Sequence, residues 1–206
     1  MQSPSADPTL TSSNRTEKSL LVTVAILAII AIAGGWFAMR LSAAKNLERD
    51  ATSKARGWAI HISEDIEDFD GFLAGNPATE ADFQLLNTTK NFGNVFSYKI
   101  YSADGTVTRA SNAGDLGLVK RADYFRDIVA AGETYSRIGE GGFEDVPDIY
   151  IEAYVPIIRD GRFLGTVETY VDVTELAKDI DRKTMLALLG LIGVFIVFGT
   201  ALGIVY

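Results

Sequence analysis

Tyr150, Glu152 and Tyr154 stand at every second position of a run whose intervening residues are Ile149, Ile151, Ala153, Val155 and Ile157. A period of two sends successive side chains to opposite faces of a strand, so the tyrosines and the glutamate share one face and the aliphatics the other. Glu168 and Tyr170 repeat this dress a few residues on, and a merely solvated face does not need it. Arg109 alternates with its neighbours so as to share a face with Val107 and Ser111, among apolar residues. An inward arginine is costly unless paired, and its planar fork suits a carboxylate. Tyr124 and Arg126 lie in a short helical pattern over 121–131. These six residues (Arg109, Tyr124, Arg126, Tyr150, Glu152 and Tyr154) are the candidate ligand-binding set. Two other readings stay open. Arg109 and Glu152 could form an internal ion pair, and the tyrosines could line a dimer surface, where tyrosine is enriched. Asp172 reads as a cap for the helix that follows.

The chemistry is that of binding. No nucleophile–base pair, metal motif or phosphate loop occurs, so no catalytic residue, metal or cofactor is expected and the chain does not read as an enzyme. The glycines at Gly139, Gly141 and Gly142 lack the strand-to-helix context of a phosphate cradle. With no Cys, disulfides, zinc-thiolate sites and thiol catalysis are excluded. A net charge of −8 argues against nucleic acid as a partner.

These residues need a sheet to position them. Residues 147–174 predict a hairpin, with Asp160-Gly161 as a type I′ turn because both residues tolerate positive φ. On its second strand Phe163, Val167 and Val171 alternate with Leu164, Thr166, Glu168, Tyr170 and Asp172. Upstream, strands are predicted over 95–101 and 106–111 around Asp104-Gly105, with Phe96, Tyr98 and Ile100 on one face, and another over 134–138. Leu47, Ala51, Ala55, Trp58, Ile62, Ile66, Phe69 and Leu73 form one helical stripe, ended by Gly75-Asn76-Pro77. Its opposite face holds Glu64, Asp65, Glu67, Asp68 and Asp70, which reads as a solvated face with a cation patch as the alternative. A second helix is expected over 79–90, capped by Thr79.

Two apolar runs frame this domain. Leu20 to Met39 and Met185 to Tyr206 carry no charge and are long enough to cross a membrane. The expected organisation is a disordered cytoplasmic tail over 1–19, a first span over 20–40, an outer domain over 41–183 and a second span over 184–206. Gly199 and Gly203, in the G-x-x-x-G spacing, let helices approach closely and suggest a parallel homodimer.

A long helix leaving a span, five antiparallel strands and a helix entering a second span resemble an extracytoplasmic Cache domain, the PAS-like α+β sensor fold of bacterial receptors, in its single-module form. The residues that carry the likeness are Asp104-Gly105, Asp123-Tyr124-Phe125, Tyr154-Val155-Pro156-Ile157, Asp160-Gly161, Gly165 and Val171-Asp172-Val173-Thr174. The resemblance implies a small ligand, such as a carboxylate or an amino acid. It would lie between the sheet and the segment linking the second and third strands, where Tyr124 falls. A second Cache module and an amino-acid-receptor signature are missing.

The function this implies is sensory input for a bacterial membrane receptor, with the outer domain periplasmic. Ligand binding would pass a helix shift to a cytoplasmic output domain on a longer chain. The wording GRFLGTVETYVDVTE is most like receptors whose output is a c-di-GMP enzyme. The alternative is a complete small membrane protein whose outer domain binds a protein partner.

Overall fold

The structure, a computed structural model, describes residues 9–143 and 145–205. It divides into two units, Met1–Ala43 with Ile180–Tyr206, and Ala44–Asp179. The first contains two helical stretches, the start of α1 (Thr9–Asp65) and the greater part of α4 (Thr174–Val205). Each of these helices is long and apolar enough to cross a membrane, with windows of mean hydropathy 2.3 and 2.0 that are 0% and 6% buried. The helix begins at Thr9, well before the expected span, so 9–19 is not the disordered segment the sequence predicts; the first eight residues lie outside the described ones. In this unit Arg40 covers the Trp36 ring at 4.9 Å and pairs with Asp181 at 3.2 Å.

The second unit is a five-stranded antiparallel sheet in the order β2-β1-β5-β4-β3. The strands are β1 (Val95–Ser102), β2 (Val107–Ala110), β3 (Tyr135–Glu140), β4 (Ile149–Arg159) and β5 (Arg162–Asp172). The β4–β5 hairpin closes through Asp160 and Gly161, at φ 51° and 72°, as a type I′ turn requires. Thr174 N–H donates to Asp172 Oδ1 at 2.9 Å, which is the cap expected at the start of α4.

One face of the sheet makes the apolar core. Ile100, Ile151, Ala153, Val155, Val167 and Val171 meet the striped helix there, with Ala51, Ala55, Trp58, Ile62 and Ile66 all buried. The stripe runs on as predicted, but the helix does not. It stops at Asp65, and α2 (Phe69–Ala74) restarts it behind Asp68, whose carboxylate accepts from Gly71 N–H at 3.0 Å. Gly75, at φ 97°, ends α2 in the left-handed conformation that a helix C-terminus favours. The acidic stretch is partly consumed by this architecture, since Asp68 caps α2 and Asp70 pairs with Arg159 at 2.6 Å. Then α3 (Glu80–Thr89) opens on a capping box between Thr79 and Asp82.

Three β-bulges interrupt the ladder. They lie between Val95 and Ser97 on β1, between Val107 and Arg109 on β2, and between Phe163 and Gly165 on β5. In each, two residues oppose one, so side chains on either side of the extra residue switch faces relative to simple alternation. At the third, Gly165 is compulsory: a Cβ there would lie 2.1 Å from the Tyr101 carbonyl oxygen.

Candidate functional site: an acid–tyrosine face on the sheet

The other face of the sheet is the unusual one. Cross-strand register brings Tyr154 opposite Glu168, Glu152 opposite Tyr170, and Lys99 opposite Glu168 from the far side. On the outer strand Arg137 faces Glu152, and Tyr135 faces Tyr154. Glu168 is fully buried and Glu152 nearly so. A lone buried carboxylate would cost several kcal/mol, by order of magnitude, unless hydrogen-bonded. These two are bonded at every oxygen. Tyr101 Oη donates to Glu168 Oε2, and Tyr170 Oη to Glu168 Oε1 at 2.7 Å. Tyr154 Oη donates to Glu152 Oε1, and Arg137 Nε to Glu152 Oε2 at 2.7 Å. Tyr124 Oη donates to Tyr154 Oη at 3.0 Å.

The two carboxyls also act on each other, which biases where a proton sits. Burial pushes Glu168 up from its usual range, and its hydrogen bond to Glu152 pushes the same way. Burial pushes Glu152 up too, but the bonds from Glu168, Tyr154 and Arg137 outweigh it and the net shift is down. The pair therefore shares one proton, held on Glu168, with Glu152 ionised against Arg137. Burial raises the hydroxyls of Tyr101, Tyr154 and Tyr170, so all three remain donors.

The cover over this face is the 111–134 segment between β2 and β3. Phe125 and Val129 pack into the cluster of Tyr101, Val107 and Tyr154. Here the expected helix over 121–131 is a short helical turn in which Ala130 N–H reaches back to Phe125 C=O at 2.9 Å, five residues away. Tyr124 stacks on Tyr135, with ring centroids 4.3 Å apart. Lys120 lies beside them, its ammonium 4.0 Å from Glu152 Oε1 and over the rings of Tyr154 at 5.1 Å and Tyr124 at 5.7 Å.

Of the six predicted residues, the structure brings three together: Tyr124, Glu152 and Tyr154. Tyr150 is on the same face but one step along, edge-on to Phe96 and close to Tyr170, with its ring over Gly139. Arg126 is exposed and spends its donors on Asp123 and Asp127. Arg109 is elsewhere altogether. The extra residue Thr108 puts Val107 opposite Tyr101 on the acid–tyrosine face and Arg109 opposite Ile100 on the helix face. There its guanidinium lies over Phe72 at 4.7 Å and donates to the Thr108 and Asn76 carbonyls. The Arg109–Glu152 ion pair is thus corrected: Arg137 holds Glu152 instead.

No family model matches this chain, and no curated protein matches it as a relative. Solved structures do match. The periplasmic domain of RsbU from Chlamydia trachomatis is 16% identical, with a TM-score of 0.50 over 77% of this chain and 58% of that one. The Escherichia coli DcuS sensor domain is 15% identical, with a TM-score of 0.48 over 68% and 98%. The sensory domain of the Campylobacter jejuni chemoreceptor Tlp3, with isoleucine bound, is 14% identical, with a TM-score of 0.46 over 85% and 68%. The Ala44–Asp179 unit has the PAS-like Cache fold. In this fold the acid–tyrosine face is the sheet surface under the β2–β3 cover.

Sequence reading missed Glu168 as a site member: pairing the two hairpin strands through the Asp160-Gly161 turn sets Val167 opposite Tyr154, and only the extra residue Leu164 brings Glu168 there. Tyr101, Lys120, Tyr135 and Arg137 come from segments whose register depends on loops of unknown path, and no local signal marks them.

Proposed function

We propose that the outer unit is the input domain of a two-span bacterial receptor, binding a small molecule at the acid–tyrosine face beneath the 111–134 cover. The observation that carries this reading is the buried Glu152–Glu168 pair with its tyrosine donors. An apolar face would stabilise the fold at lower electrostatic cost, so a fully bonded polar cluster under a covering segment points to recognition. Spans of crossing length support a domain outside the cytoplasmic membrane, between a cytoplasmic N-terminus and a second span. A parallel homodimer is supported by Gly190, Gly193 and Gly199 of α4, where an added Cβ would meet nothing within 4 Å and a neighbouring helix has room to approach. For output we assign a c-di-GMP enzyme on a longer chain, on the wording of the hairpin alone.

The test is a ligand screen on the full chain in lipid nanodiscs, by thermal melts with a panel of carboxylates, amino acids and amines. At least one compound should raise the melt of the wild type and fail to do so in Glu152→Gln or Tyr154→Phe. A panel without any response, or a response indifferent to both substitutions, overturns the reading.

A further inference from the structure

We infer that the ligand is an organic ammonium ion, and that Lys120 is its built-in competitor: the lysine ammonium occupies the niche between the Tyr124 and Tyr154 rings and the Glu152 carboxylate that the ligand's ammonium takes when it binds. The inference rests on the sensor reading above and adds the chemistry of what is sensed. Two aromatic faces and a carboxylate are a cation site by construction, since the ring quadrupoles and the anion attract positive charge from three sides. The niche already holds such a charge.

The donors around it argue in the same direction. An anion needs free N–H or O–H groups, and here they are committed. Tyr101 and Tyr170 donate to Glu168, Tyr154 to Glu152, Tyr124 to Tyr154, and Arg137 to Glu152. A carboxylate ligand would meet Lys120 and the outward N–H groups of Arg137, with two acidic side chains behind them. An ammonium ligand finds its acceptors and its π faces in place.

Lys120 is also constructed to leave. Its backbone is pinned to the β1–β2 turn, with Lys120 N–H donating to Gly105 C=O at 2.9 Å and Val119 bridging Thr106. The flexible stem is not pinned, and the side chain is 26% exposed, against 4% for Glu152. Displacement therefore moves one side chain out to solvent without unpairing the strand, and returns the rotamer freedom that ordering a lysine removes.

The test is calorimetric titration of the full chain in nanodiscs with methylammonium chloride and choline chloride, with disodium succinate as the anionic arm and NaCl matching ionic strength. Lys120→Met keeps the stem and removes the competing charge; Lys120→Gln is the second variant, and thermal melts confirm that each is folded. At least one of the two ammonium probes should bind Lys120→Met at least about 10-fold tighter than wild type, equivalent to about 1.4 kcal/mol. Adding Glu152→Gln should abolish that gain. Equal or weaker binding of both ammonium probes in both lysine variants overturns the inference. Succinate binding that the wild type shows and Lys120→Met loses also overturns it, but leaves the sensor reading standing. Silence toward these probes and the whole earlier panel, in every variant, ends both.

Discussion

Glu168→Gln tests the shared proton directly. Glutamine keeps the shape of the protonated acid, and its amide can still donate toward Glu152. What it cannot do is accept from both Tyr101 and Tyr170, since the NH2 now stands where one oxygen accepted. One buried hydroxyl loses its acceptor, at a cost of about 1 kcal/mol. For a domain of this size that lowers the melt by about 3 °C. The pH dependence runs against this offset. A carboxyl raised above its ordinary 4.5 contributes stability that is complete below pH 4.5 and is lost as pH rises through the folded value. Across that window the wild type loses about 1.4 kcal/mol per pH unit from this group, while glutamine, with no proton to lose, contributes nothing. Glu152, shifted down, acts only on the acid side, where its contribution fades as pH falls below 4.5, and it does so in both proteins. The gap between the two melting curves should therefore narrow as pH rises above 4.5, so that the deficit of Glu168→Gln is smaller at pH 8 than at pH 4. Melts of both proteins in nanodiscs from pH 4 to pH 9 measure this. A constant offset between them over that range would refute the assignment of the proton to Glu168.

Gly165→Ala should cost more than about 3 kcal/mol, because its Cβ would meet the Tyr101 carbonyl at 2.1 Å, whereas Gly161→Ala, with open space but φ 72°, should cost about 1–2 kcal/mol; paired melts decide. Arg109→Ala should cost about 1.5–3 kcal/mol of stability through loss of two carbonyl hydrogen bonds and the Phe72 contact, and leave ligand affinity unchanged; a binding defect with a wild-type melt would return Arg109 to the site. A reporter fused after Asp104 should be active only when exported, and cytoplasmic activity would reverse the topology.

Much of this architecture is legible from one sequence, and the failures share a cause. The β4–β5 hairpin could be read because its turn residues and its alternation specify it independently, and the two long apolar helices because twenty uncharged residues in a row favour one. Face assignments failed at Phe96, Arg109 and Phe163. Each lies just at or beyond a bulge, and counting by twos presumes a ladder without extra residues. Gly165 was the one local clue, since a glycine in mid-strand marks a bulge or a close backbone approach. For Phe96 and Arg109 no comparable clue exists. Tyr101, Lys120 and Arg137 are ordinary strand and loop residues in the sequence, and become a site only through register.

The bulges also bear on how such a domain changes over generations. Because Phe96, Thr108 and Leu164 are the supernumerary residues of their strands, losing any one of them would leave every flanking side chain on its present face. Gaining or losing a residue elsewhere in β1, β2 or β5 would exchange the faces of all that follows. Single-residue length changes, placed in mid-strand where alignments penalise gaps most, are therefore the economical route by which descendants of this chain could carry a charge such as Arg109 from the helix side of the sheet to the acid–tyrosine side.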